Sequence, residues 1–235
     1  MSLFTQTTQA CPNCGTEATF DAFFSVNADR RPDLRIEILG EEFMTVTCAS
    51  CGSDFRLEPD LNYLDMARGT WILAKPCFQL PEWGPEEAAA AEAFSTSFGA
   101  NAPGAARALG DSLDPRLTFG WPGFREKIVI EQAGLDDVVL EELKLAVLRF
   151  RQDNPFAPGV ELRLISVIED VLRFAWVETA GGAELETFDL PRESYDAVAG
   201  DSAWQELGAQ LSTGLFVDMQ RLYIEPTEAE AAAEA

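Results

Sequence analysis

The 235-residue chain contains no histidine. That removes imidazole from general acid–base chemistry, from Ser-His-Asp and Cys-His nucleophile systems and from metal coordination. Lysine is nearly as scarce, limited to Lys75, Lys127 and Lys144. No glycine-rich phosphate loop or dinucleotide fingerprint accompanies those lysines, so nucleotide binding has no support. Basic charge as a whole is short: 17 Lys and Arg face 40 Asp and Glu, a formal net charge of −23, which opposes phosphate backbones and anionic lipid surfaces. No apolar run approaches the roughly 18–20 residues of a membrane helix, and the longest, near Val138 and Val171, are broken by charges. The opening residues MSLFTQTTQA carry neither a basic leader nor an apolar segment, so a cytoplasmic location is expected.

What is present fits a folded globular protein, with 47% hydrophobic and 24% charged residues. Thr19 to Val26 and Phe43 to Thr47 are rich in aromatic and β-branched residues and read as strands. Between them, Pro32 to Gly40 has proline near its start and glycine at its end, consistent with one or two helical turns. From Pro81 to Pro122 the composition shifts toward Ala, Gly, Pro and Ser. A helix is expected around Pro85 to Ala93, and the remainder reads as a connector. Lys127 to Glu131 reads as a strand; Gly134 then opens a helix with Leu135, Val139, Leu143, Ala146, Val147 and Phe150 at helical spacing. Val160 to Ile168 and Val171 to Val177, separated by Glu169-Asp170, read as a tight antiparallel hairpin. Leu185 to Leu190 reads as a strand, Pro191 to Ala199 and Asp201 to Leu211 as short helices, and Leu215 to Ile224 as a last strand.

The expected fold class is therefore α+β: a zinc-ribbon-like N-terminal β module followed by a mainly antiparallel sheet with packed helices. The expected division is a module over 1–80, an Ala/Gly/Pro-rich insertion or linker over 81–122, an α+β domain over 123–224 and a disordered acidic tail over 225–235.

Chemistry is concentrated in the cysteines. Cys11-Pro12-Asn13-Cys14-Gly15 and Cys48-Ala49-Ser50-Cys51-Gly52 are two CxxC pairs, each followed by glycine. Two intervening residues let one tight turn aim both thiolates at a single ion, and the glycine allows the positive φ that such a turn needs. Cys11, Cys14, Cys48 and Cys51 are thus expected to form a closed tetrahedral four-cysteine site of structural character, with Zn2+ preferred over a rubredoxin-like iron. A thiol–disulfide pair would instead place one thiolate at a helix start after a strand. The segments following both pairs here are strand-like, which favours metal.

Cys77 stands apart and reads as a small buried hydrophobe. The acidic pairs Asp136-Asp137, Glu141-Glu142 and Glu169-Asp170 read as solvated faces or helix caps. Residues 1–66 carry four arginines against eleven acids, so a nucleic-acid-gripping ribbon ranks last. The one basic cluster, Arg30, Arg31 and Arg35, is expected to meet the chain's own acidic surface.

With both pairs located, the sequence resembles the bacterial and archaeal CpXC family, named for a Cys-Pro-x-Cys motif. The resemblance rests on Cys11 to Gly15, on Asp33 to Leu39 before Phe43, and on Leu61-Asn62-Tyr63-Leu64-Asp65-Met66. It rests further on Glu126-Lys127-Ile128 leading into Gly134-Leu135-Asp136-Asp137, and it spans about residues 11 to 148. Ala49 stands where a proline is often found, and Leu64 where similar sequences often carry histidine, which argues against a ligand or catalytic role at position 64. The resemblance implies a cysteine-rich metal module and brings no established activity. The leading expectation is a zinc-stabilised cytoplasmic scaffold for protein–protein contact, with no catalytic residues. The alternative is a thiol redox protein or an enzyme using carboxylates, Tyr63 or Cys77.

Overall fold

The computed structural model describes residues 2–151 and 153–225. The fold is α+β, as the order of strand-like and helical segments led us to expect. A five-stranded mixed sheet is built, in spatial order, from β1 (Leu3–Ala10), β2 (Glu17–Asn27), β5 (Leu61–Asp65), β6 (Thr70–Lys75) and β7 (Asp114–Phe119). Antiparallel pairs β1/β2 and β5/β6 alternate with parallel pairs β2/β5 and β6/β7. A short antiparallel ribbon consists of β3 (Thr45–Thr47) and β4 (Asp54–Arg56). A second, antiparallel sheet comprises β8 (Val160–Ile168), β9 (Val171–Glu178) and β10 (Glu184–Pro191), with β9 in the middle. Ile168 pairs with Val171 across the expected two-residue turn, where Glu169 takes a positive φ of 53°.

Helix α1 (Pro32–Leu39) carries proline in its first turn and ends at Gly40, matching its sequence signals. Helix α5 (Asp137–Phe150) starts on Asp136, whose carboxylate accepts from the backbone N–H groups of Val138 and Val139, with Arg149 in its last turn. Helices α6 (Arg192–Ala199) and α7 (Gln205–Leu211) follow β10, the second entered through a 3-10 turn at Ser202–Trp204 on which Asp201 caps Ala203.

Three expectations are corrected. Lys127 to Glu131 is not a strand but the last part of helix α4 (Gly120–Gln132). The run Ile128-Val129-Ile130 favours β structure intrinsically, yet α4 is buried nearly all round between two cores, and packing overrides so weak a preference. Trp121, Phe124 and Ile128 meet Val26, Leu34, Phe43, Tyr63 and Ile72 on one side. Val129 and Ile130 join Leu140, Leu143, Leu162, Leu164, Phe174 and Trp176 on the other.

The stretch 81–122, expected to be a connector after one helix, instead forms α2 (Trp83–Phe98), α3 (Gly104–Gly110) and the parallel strand β7. Pro115 within β7 masks the strand; as the outer strand of its sheet, β7 tolerates a missing N–H donor. Trp83 and Ala90 of α2 pack with Leu80, Leu117, Phe119 and Phe216.

Leu215 to Ile224 is likewise no strand but an irregular segment ending in a 3-10 turn, Met219–Leu222. Its backbone groups are taken by side chains: Lys127 donates to Val217 O, Met219 N donates to Glu141 and Gln220 N donates to Asp218. Of the acidic tail expected over 225–235, residues 226–235 lie outside the described residues.

Candidate metal centre

The two cysteine pairs occupy two turns of the same design. Cys11 and Cys14 lie between β1 and β2, and Cys48 and Cys51 between β3 and β4. In each turn the glycine N–H donates to the first cysteine's carbonyl at 2.8 Å: Gly15 to Cys11 and Gly52 to Cys48. The first cysteine's N–H in turn donates to Thr16 O at 3.0 Å or Ser53 O at 2.9 Å. Gly15 and Gly52 hold φ of 72° and 74°, a left-handed conformation in which a side chain would be strained. The CxxCG spacing therefore dictates the local fold twice over, and each turn presents two sulfurs on one side.

The tertiary structure brings the turns face to face. All four sulfurs lie within 4.8 Å of one another, with Cys11 Sγ to Cys51 Sγ and Cys14 Sγ to Cys48 Sγ each 3.7 Å. Four ligands at about 2.3 Å around a tetrahedral ion stand roughly 3.8 Å apart, so these separations suit a common ion; a disulfide would need about 2.05 Å. Four sulfurs around one point could hold a metal ion with its shell closed.

Polar neighbours tune the sulfurs unequally. Cys11 and Cys48 are buried, while Cys14 and Cys51 are exposed. Ser53 and, from the opposite turn, Asn13 hydrogen-bond Cys51 and bring its thiol down to about 5. Asn13 Nδ2 donates to Cys51 Sγ at 3.6 Å and to Ser53 Oγ at 2.8 Å, tying the turns together. Thr16, 3.4 Å from Cys14 Sγ, lowers that thiol as well. Cys11 moves the other way, to about 11, because burial penalises its thiolate. A cation at the centre would offset that penalty directly.

The remaining residues singled out from the sequence do not join this cluster. Cys77 opens the 3-10 turn Cys77–Glu82 and is half-buried; burial, with Glu58 alongside, pushes its thiol up to about 11, away from nucleophilic character. Tyr63 is buried in the core around α4, and burial raises its hydroxyl. Leu64 lies in β5, outside both turns. Arg31 pairs with Asp33, and Arg35 with Asp65 and Glu131, so these two arginines do meet the chain's own acids.

The acidic pairs depart from expectation. Asp136 is a cap and Glu169 a turn residue, but Asp137, Glu141 and Glu142 are buried. Asp137 receives Lys127 Nζ at 2.7 Å and Arg116 Nε at 2.7 Å. Glu141 belongs to a second cluster, in which Lys144 Nζ lies 2.8 Å from it and 2.7 Å from Glu126, and Glu126 also meets Arg163 at 2.8 Å. Arg163 further contacts Glu161 and Asp218, each at 2.6 Å. Local spacing relates only Glu141 to Lys144 (i, i+3 on α5) and Glu161 to Arg163 (i, i+2 on β8), and nothing in the sequence joins these pairs to each other or to positions 126 and 218.

A family model described as CpXC protein matches residues 10–144, a span that holds both cysteine turns and α4. No curated protein and no solved structure matches the chain. No helix among the described residues is long and apolar enough to cross a membrane.

Proposed function

The chain belongs to the CpXC protein family, and from that premise we propose that it is a structural zinc protein acting as a non-catalytic scaffold for protein–protein contact in the cytoplasm. Cys11, Cys14, Cys48 and Cys51 hold the ion. The observation that carries this reading is the convergence of four sulfurs within 4.8 Å. Zinc accepts four thiolates without demanding a ligand field, and a shell closed by four protein ligands leaves no position for substrate. When bound, the ion supplies cross-linking: it fixes the β1–β2 turn to the β3–β4 turn. Asn13 and Ser53 hydrogen-bond Cys51 and Thr16 lies against Cys14, each lowering its thiol, while the buried Cys11 and Cys48 anchor the site to the protein side. Structural Zn2+ binding is worth on the order of 10 kcal/mol in small domains, ample to order two short turns that bury little apolar surface.

The scaffold role rests on the closed shell, the strong acidity and the raised thiol of Cys77, which together offer no catalytic set. The protein partner is unspecified by these features. Elemental analysis of untagged protein should return one zinc per chain, and thiol titration should find four cysteines protected until a chelator is added. The low thiol of Cys51 favours the alternative of a redox pair, which predicts thiols that react with no metal released.

A further inference from the structure

Away from the cysteine turns, a cavity of about 490 Å³ opens between the 3-10 turn at Cys77, the loop before β8 and the end of the described chain. Its size suits a small ligand. Phe78, Phe156 and Tyr223 at this cavity are 75%, 41% and 44% exposed, an unusual concentration of aromatic surface in so acidic a protein. Phe156 and Tyr223 meet edge to face at 5.4 Å, which holds the two rings in a fixed relation. Among the described residues no Lys, Arg, Asp or Glu lines the cavity, so an anionic ligand would be buried without a counter-charge.

Behind the cavity wall the balance is negative. Gln220, a lining residue, donates from Nε2 to Glu161 Oε2 at 3.0 Å and accepts on Oε1 from Arg163 at 3.4 Å, so it joins the cavity to both signs of the cluster, in which carboxylates outnumber cations. Glu161 belongs to the buried cluster of four carboxylates, Glu126, Glu141, Glu161 and Asp218, set against two cations, Lys144 and Arg163. Glu161 Oε1 is buried and accepts no hydrogen bond among the described residues. The carboxylates of this cluster are felt at the cavity: after burial itself, Asp218, Glu161 and Glu141 contribute to raising the Tyr223 hydroxyl against the opposing charge of Arg163, and Glu58 and Glu161 to raising the Cys77 thiol.

We infer that this cavity binds a small organic cation, an ammonium group carried on a short aryl or alkyl body. The body fills the apolar space and the ammonium turns toward Gln220 and the carboxylates behind it. Aromatic faces and an excess of buried negative charge both favour a cation, and a net charge of −23 concentrates cations around the molecule. The inference is independent of the metal centre and goes beyond the scaffold reading.

Titration calorimetry on the full chain with three probes of one body, 2-phenylethylammonium, 2-phenylethanol and phenylacetate, tests this directly. The ammonium should bind, the alcohol should bind at least about tenfold more weakly, and the acetate should give no heat of binding. Ala157→Trp, at an exposed position on the cavity rim, should abolish ammonium binding with the circular dichroism spectrum unchanged, and Tyr223→Leu should weaken it. Phenylacetate binding as tightly as the ammonium overturns the inference, as does silence from all three probes up to their solubility limits. So does an Ala157→Trp protein that is folded and binds normally. Binding that emerges only after residues 226–235 are removed assigns the cavity to the chain's own end and also defeats it.

Discussion

At the β1–β2 and β3–β4 turns, four sulfurs converge within 4.8 Å, two of them on exposed cysteines. Between α4, α5 and β8, the side chains of Glu126, Glu141, Lys144, Glu161, Arg163 and Asp218 converge with almost no exposure at all. Both are polar clusters in places where a hydrophobic core would serve in another protein. They differ in what they need. The sulfur cluster could hold an ion from outside, which in the proposed reading ties its two turns together. The carboxylate cluster supplies its own cations, and the apolar side chains of α4 and α5 seal it. A buried charge of this kind costs several kcal/mol of desolvation, recovered only while every partner is present. In the proposed reading the first cluster depends on an ion, whereas the second depends on every one of its own partners.

The sharpest way to break the comparison is to remove a sulfur. Cys14→Ser and Cys51→Ser should each lose essentially all bound metal, with disorder confined to the two turns; elemental analysis paired with residue-resolved hydrogen exchange reads both effects. Protection lost throughout α5 and β8 would show that the two clusters are not separate units.

Next comes Lys144→Met. It leaves Glu126 and Glu141 buried without their ammonium, and a stability loss of about 3–5 kcal/mol is expected in urea unfolding. Metal content should be unchanged. Adding Glu141→Gln to Lys144→Met should recover part of that loss, since one stranded carboxyl group is then gone.

Titration sharpens the contrast further. Burial, outweighing the attraction of Lys144 and reinforced by Asp218 and Glu126, raises Glu141 from 4.5 to about 7. The folded state therefore holds a proton that the unfolded state has released between pH 4.5 and 7, so this group's contribution to stability falls as pH rises through that window. Glu126 and Asp218 go the other way: burial alone would raise them, but Lys144 and Arg163 hold both below their ordinary values, and their contribution is lost on acidification. Glu141→Gln should flatten the decline between pH 4.5 and 7 in unfolding midpoints, and a slope identical to that of the parent would contradict this ordering of the carboxylates. The smallest effect belongs to the surface. Arg31→Ala removes an exposed pair with Asp33 and should leave the unfolding midpoint unchanged, because solvent screens such pairs.

The same contrast explains what could be seen in the sequence. The sulfur cluster was legible because its geometry is local: two residues between cysteines and a glycine after them specify each turn, and Gly15 and Gly52 adopt the positive φ that the pattern requires. Helix α5 was legible for a similar reason, through its clean apolar stripe, although it starts at the Asp136 cap and not at Gly134 as the sequence suggested. The ion cluster was not, since its members come from α4, α5, β8 and the segment after α7, up to 92 positions apart (Glu126 to Asp218). Glu141-Glu142 looks like a solvated face because nothing local distinguishes a buried carboxylate from an exposed one.

Departures in secondary structure share this origin. The Lys127–Glu131 part of α4 reads as a strand because the helix is buried on nearly every side and shows no polar stripe. Residues 215–224 read as a strand although, apart from one bond from Leu117 of β7 to Leu215 O, side chains such as Lys127, Glu141 and Asp218 satisfy part of their backbone. β7 escapes notice because Pro115 looks like a breaker until its place at the sheet's edge is known.

By itself the sequence determined the α+β class, the two cysteine turns with their strand flanks, the capped helix and the β8–β9 hairpin, because each is encoded by spacing within one turn or one period of the chain. Only the tertiary structure decided that the two turns face one another, that α4 is a helix between two cores, and that acids from four separate segments share two cations. Those outcomes depend on which surfaces exclude water together, and burial of that kind is a property of the assembled molecule.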